Sequence, residues 1–154
     1  NVIVIPALTG LGAPHWKANV RGAIFGLTRN TGIPEIVKAT LDSIAYQTFD
    51  LVSCMQKDSK RKIREMRVDG GMINNNSFIQ SLSNILQIKI IRPKDTETTS
   101  LGAAYLAALS CGLLKNTSSI EKLWKSNRVS NPKVKKNEIE KRLEKWHHTL
   151  AKLI

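Results

Sequence analysis

Apolar and polar positions follow two rhythms along this chain, one of short continuous runs and one of helical spacing. Val2-Ile3-Val4-Ile5 is an apolar run stopped by Pro6, the pattern of a buried strand. Thr9-Gly10-Leu11-Gly12-Ala13-Pro14 reads as a turn-rich loop leading to His15 and Trp16. Residues 21–28 form a second short apolar piece bracketed by Gly22 and Gly26, a strand or tight crossing. Thr31-Gly32-Ile33-Pro34-Glu35 announces a helix, with a polar cap, Pro in the first turn and an early acid. The spacing predicts that helix from Pro34 to Gln56. Val37, Leu41, Ile44, Ala45, Val52 and Met55 form its packed face, Thr48 interrupts it, and Asp42, Gln47, Asp50 and Lys57 fall elsewhere. Residues 58–64 are a charged linker.

The pattern then changes over a dozen residues. Met66 and Val68 alternate as in a strand with one buried face. Gly70 and Gly71 break it, and glycine permits backbone angles and approaches that a Cβ forbids. Asn74, Asn75, Asn76 and Ser77 follow, the residue types that cap a helix. Phe78, Ile79, Leu82, Ile85 and Leu86 then recur at helical spacing. Strand, glycine turn and capped helix would aim free N–H groups and the positive end of a helix dipole into one space, suited to a phosphate or a nucleotide. A ligand-free junction fits the same local pattern.

Residues 88–91 make another β-rich run, closed by Arg92-Pro93, and residues 94–99 are polar. Residues 100–109 read as a helix rich in small side chains. Its interior Gly102 costs ~1 kcal/mol relative to Ala, so a close neighbour should compensate. From Asn116 the chain is polar until Ile139, Leu143, Trp146, Leu150 and Leu153 mark an amphipathic terminal helix. Alternating strands and helices predict a layered α/β domain with a mostly parallel sheet.

Composition narrows the partners. The net charge of +12 is divided evenly: residues 1–115 carry 14 Lys/Arg against 8 Asp/Glu, and residues 116–154 carry 10 against 4. In the tail, lysines are interleaved with glutamates and no regular stacking aromatics accompany them, which makes nucleic acid an unlikely partner and favours a solvated surface. No apolar run approaches the ~20 residues of a membrane span, so no membrane partner is expected. No signal peptide precedes the first strand, and with no initiator Met the sequence reads as a piece of a longer, cytoplasmic protein. Cys54 and Cys111 read as reduced, buried thiols, and His147 and His148 as surface residues; nothing suggests a metal site.

Several stretches together resemble one family. The runs 4–16 and 21–29, then Glu35-Ile36, Ala39-Thr40-Leu41-Asp42 and residues 43–48, Val68-Asp69-Gly70-Gly71 and residues 99–107 are similar to the C-terminal part of the FGGY carbohydrate kinases, nearest their glycerol kinase branch. The likeness is dense over residues 2–115 and loose beyond, mainly through Trp146. It implies an actin-like ATPase (ribonuclease H-like) C-terminal domain, incomplete, with a mixed, mostly parallel sheet flanked by helices. It implies two parts, residues 1–115 carrying nucleotide binding and residues 116–154 a basic extension. Carried over by position, Gly71 would lie against the nucleotide, Asn75 would hydrogen-bond it, and Asp69 and Gly70 would shape the turn. The helix of Gly102 and Ala103 would pack beneath. ATP or ADP with Mg²⁺ and, in the complete enzyme, glycerol are the implied ligands, with a missing N-terminal kinase domain as partner; a homo-oligomer is compatible. No residue inherits the general-base role, and Asp42, Asp50 and Asp69 are not promoted to it. His15 stands where tyrosine is usual and Lys17 where an acid is usual. The alternative reading is a non-catalytic remnant, or a module binding adenine nucleotide or protein.

Overall fold

The computed structural model describes residues 2–154. Strand β1 (Ile3–Ile5) pairs antiparallel with β2 (Ala23–Phe25), Ile3 opposite Phe25. Helix α1 (Ile33–Ser59) follows, then β3 (Glu65–Arg67), a single 3₁₀ turn (Gly71–Asn74), α2 (Asn76–Leu86) and β4 (Lys89–Pro93). Helices α3 (Thr98–Ser110) and α4 (Thr117–Leu123), strand β5 (Ser126–Ser130) and helix α5 (Lys136–Leu150) complete the chain. The second sheet has the order β3-β4-β5.

The fold is α/β with a mixed sheet, as expected, but its parallel part is confined to one pair. β3 and β4 run parallel because α2 crosses between them, whereas β5 returns antiparallel to β4. Both α4 and β5 come from a stretch with no apolar rhythm. β5 is exposed at four of its five positions, so no buried face marked it in the sequence.

Helix α1 begins as the sequence suggests, with one change of device. Thr31 does not cap it; its hydroxyl accepts from the Thr28 N–H at 2.9 Å. Glu35 reaches back to the Gly32 N–H at 2.8 Å instead, with Pro34 in the first turn. The helix ends at Lys60 in the left-handed conformation, φ 53°.

Two apolar clusters hold the body together. One joins Ala45 and Val52 of α1, Ile73 of the turn, five apolar residues of α2, Ile90 of β4, and Ile139 and Leu143 of α5. The other joins Ile3, Ile5, Ala7 and Leu11 to Trp146 and Leu150 of α5. The stripe 139, 143, 146, 150 thus serves both clusters from one helix face, and Tyr46 packs against both.

Several side chains sit otherwise than the pattern implied. Val37 and Met55 are more than half exposed, while Asp50 is buried at 7%. Asp50 is buried because Trp146 and His147 of α5 reach its carboxylate. Cys111 is exposed and Cys54 half-buried, both as free thiols. Helix α3 buries no residue at all. The whole chain exposes 10461 Å², against roughly 7,800 Å² expected of a compact protein of 17.2 kDa. Part of this excess is apolar, as at Leu8, Trp16, Leu106 and Leu113.

Candidate functional site

The glycine turn lies where β3 ends, at one edge of the body. Gly70 has φ 87° and ψ 172°, a conformation open to glycine and strained for any side chain. From it the chain enters the 3₁₀ turn, in which the Ile73 N–H donates to the Gly70 carbonyl at 3.2 Å and the Asn75 N–H to the Met72 carbonyl at 3.1 Å. Ile73 is the plug that seats the turn on the core, 2% exposed.

Asn75 caps α2. Its Oδ1 accepts from the N–H groups of Ser77 at 3.0 Å and Phe78 at 3.1 Å, and its carbonyl accepts from Ile79. This corrects the expectation of free donors: the helix end supplies its dipole, but the N–H groups of residues 77, 78 and 79 are already satisfied. A cap of that kind suits the neutral parts of a nucleotide better than a naked phosphate, since few donors remain to neutralise charge. With Oδ1 committed, the Nδ2 amide of Asn75 is the group left to serve a ligand.

Gly71 explains itself differently from Gly70. Its backbone conformation is ordinary, and a Cβ built on it would meet nothing within 4 Å. The chain's own packing therefore does not require glycine there. Asp69, Gly70, Gly71 and Asn75, the four residues singled out in the sequence, are all exposed. Asp69 is tied to helix α3, its carboxylate accepting the hydroxyl of Thr98.

Gly102 lies one helical turn beyond Thr98 on α3, and a Cβ there would also meet nothing within 4 Å. The close neighbour expected to compensate this helix glycine is absent among the described residues, and α3 is joined to the turn without packing beneath it. Thr98, Leu101, Gly102 and Tyr105 instead line an open pocket of about 550 Å³ together with Leu123 and Trp124. The Arg67 guanidinium stacks 4.2 Å from the centre of the Trp124 ring.

Arg92 was not marked by the sequence as more than the end of a strand. In the structure its Nη1 donates to the Ile73 carbonyl at 3.0 Å and to Asn76 Oδ1 at 3.2 Å, and its Nη2 to Asn127 Oδ1 at 2.8 Å. Only the pairing of β4 with β5 makes this contact visible, and β5 was not legible.

The three acids weighed above are all engaged. Asp42 accepts from Lys38 Nζ at 2.5 Å and Ser81 Oγ at 2.6 Å. Asp50 accepts from Trp146 Nε1 at 2.9 Å and lies 2.6 Å from His147 Nε2, with His15 Nε2 3.5 Å away. His147 is a surface residue, as read from the sequence, and its ring is anchored on Asp50. Asp69 holds Thr98. Among the described residues no group of three His, Cys, Asp or Glu stands where it could hold a metal ion.

A family model described as "FGGY family of carbohydrate kinases, C-terminal domain" matches residues 1–111. The glycerol kinase of Borreliella burgdorferi (strain ZS7) is 44% identical over 152 residues, covering 98% of this chain and 30% of that protein. The crystal structure of Plasmodium falciparum glycerol kinase with ADP superposes with a TM-score of 0.89 at 35% identity, over 99% of this chain and 31% of that one. The ligand-bound xylulose kinase of Lactobacillus acidophilus gives a TM-score of 0.79 at 28% identity, over 97% and 30%. The chain spans about 30% of the length of the curated relatives it matches.

Proposed function

We propose, from the fact that the chain belongs to the FGGY family of carbohydrate kinases through its C-terminal domain, that it is the nucleotide-binding portion of a glycerol kinase. In the complete enzyme the reaction would be transfer of the γ-phosphoryl of ATP to a terminal hydroxyl of glycerol, giving glycerol 3-phosphate and ADP. Residues 1–115 would carry the nucleotide contacts, and residues 116–154 would complete the sheet and core around them. No helix among the described residues is long and apolar enough to cross a membrane, and a cytoplasmic site of action accords with the ligands proposed.

The observation that carries the reading is Gly71: a glycine in an ordinary conformation, facing open space, beside a helix cap that retains one free amide. The chain's own packing gives no reason for glycine at this position, and a ligand approaching the backbone would supply one. Gly71 would let the ligand approach the backbone, and Asn75 Nδ2 would donate to it. Asp69, held by Thr98, would fix the turn against α3. Mg²⁺ would arrive on the nucleotide phosphates, where it neutralises charge in phosphoryl transfer; the turn offers it only one carboxylate, already engaged. Such catalysis is mostly positioning, and this chain contributes the position of the nucleotide without a general base. Alone it should therefore bind nucleotide and phosphorylate nothing.

Calorimetric titration of the chain with Mg·ADP beside a Gly71→Asp variant tests this. The side chain has room, so the variant should melt as the parent does while losing its ADP heat. Equal binding by the two, or no binding by a cooperatively folded parent, would remove the site from the turn.

A further inference from the structure

Among the side chains around the glycine turn, one has an arrangement that the nucleotide reading leaves unused. We infer that Arg92 is a positioning residue for the nucleotide cradle, setting the 3₁₀ turn from behind so that Gly71 and Asn75 meet the ligand; the inference rests on the reading of that turn as the nucleotide site.

The geometry is specific to a guanidinium. Arg92 sits half-buried near the end of β4, where the strand's register against β5 shifts. Its two terminal nitrogens reach three acceptors on three elements: the Ile73 carbonyl in the turn, Asn76 Oδ1 at the first position of α2, and Asn127 Oδ1 on β5. Two of the three, on residues 73 and 76, lie on either side of Asn75, and the third ties the fork to the sheet. All three are neutral oxygens, and no carboxylate contact is described for this guanidinium. Its bonds therefore serve orientation in the first place, with a planar fork satisfying several acceptors at fixed angles.

The turn needs such a support. Its 3₁₀ bonds, among them those from Ile73 to Gly70 and from Asn75 to Met72, close only one short turn, and Gly70 and Gly71 give its backbone wide freedom. Without Arg92 the Ile73 carbonyl and the Asn76 side chain lose a partner, and the cap residue Asn75 between them is held by its capping bonds and the turn alone. A small misplacement of a binding group costs affinity out of proportion to the displacement.

The test uses the full chain with Arg92→Ala, Arg92→Lys and Gly71→Asp, each measured by Mg·ADP calorimetry, by thermal melt, and by amide hydrogen exchange at Ile73 and Asn75. For Arg92→Ala we expect exchange at those two amides at least tenfold faster while the interior amides of α2 are unchanged, and ADP binding at least tenfold weaker. Arg92→Lys keeps the charge but cannot span three acceptors, so it should recover little of either. Full recovery by lysine would make the effect one of charge and overturn the positioning role. Unchanged exchange and affinity in Arg92→Ala, with Gly71→Asp abolishing binding, would overturn it while leaving the nucleotide site in place. Gly71→Asp binding as the parent does, or a parent that binds no ADP, would overturn the site and the inference together.

Discussion

Replacing Trp146 by Phe tests the join between the terminal helix and the rest of the molecule. The indole is fully buried, stacks on Tyr46 with centroids 5.2 Å apart and planes 20° from parallel, and donates from Nε1 to Asp50 Oδ2 at 2.9 Å. Phenylalanine keeps an aromatic ring for the stack and removes the donor. Asp50 would then hold a buried carboxylate with His147 on one oxygen and only the more distant His15 near the other. Losing one partner of a charged, buried acceptor costs about 1.5–3 kcal/mol. The smaller ring adds a cavity term of about 1 kcal/mol. The expected loss is therefore about 3 kcal/mol, or a fall in Tm of roughly 6–12 °C for a chain of this size. Urea unfolding followed by far-ultraviolet circular dichroism is the suitable assay, because tryptophan fluorescence changes with the substitution itself. In an Asp50→Ala background the same replacement should cost only the cavity term, about 1 kcal/mol. Equal costs in the two backgrounds, within about 0.5 kcal/mol, would refute the claim that the indole–carboxylate bond holds α5 in place.

Asn75 separates capping from ligand binding: Asn75→Ala should lose about 1 kcal/mol of stability. Asn75→Asp keeps the acceptor and should melt near the parent, and both should lose ADP affinity by calorimetry. Gly102→Ala should stabilise this chain by about 1 kcal/mol, read from the melt, because the helix gains propensity and the methyl meets open space. An unchanged or lower melt would reveal a contact at that face. Burial, and secondarily the negative charge of Asp42, push the Tyr46 phenol from 10.0 up to about 12. The unfolded phenol therefore ionises first, so the stability this residue contributes is present below pH 10 and is lost as pH rises towards 12. Tyr46→Phe should remove that part of the alkaline decline in urea midpoints, and identical declines in the two proteins would count against it.

How much of this was legible in the sequence depended on whether one face of an element is buried. Phe78, Ile79, Leu82, Ile85 and Leu86 recur at helical spacing and are all buried, because α2 meets β4 on one side and α1 on another. The stripe of α5 was equally plain for the same reason. β5 was invisible: Ser126-Asn127-Arg128-Val129 is exposed, and its hydrogen bonds to β4 leave no mark in side-chain pattern. Asp50 was misjudged because a carboxylate counts as polar in any periodicity argument. Its burial depends on Trp146 and His147, nearly a hundred positions away. Arg92 was missed in turn, since its partner Asn127 lies on the strand that could not be seen.

The glycines mark where the chain's own packing stops being a sufficient account. Gly10 is explained within the molecule: it has φ 98°, and a Cβ there would fall 2.7 Å from the Ala18 carbonyl. Gly70 is explained by its backbone angle. Gly71 and Gly102 have neither reason, and Gly102 even costs helix stability. They share a neighbourhood, since Thr98 joins the start of α3 to Asp69 at the turn. That neighbourhood also holds the helix that buries nothing, with Leu106 at 69% exposed. A ligand alone accounts for Gly71 but not for an apolar helix left uncovered along its length. A covering part of the protein alone accounts for α3 but not for a polar cap with a spare amide beside a glycine. Both would act together in the cradle proposed above, with the ligand at the turn and a further part of the protein over α3. Gly102→Ala then has opposite signs in two settings: stabilising here, and destabilising once joined to whatever covers α3. A gain of equal size in both would mean that nothing approaches that face.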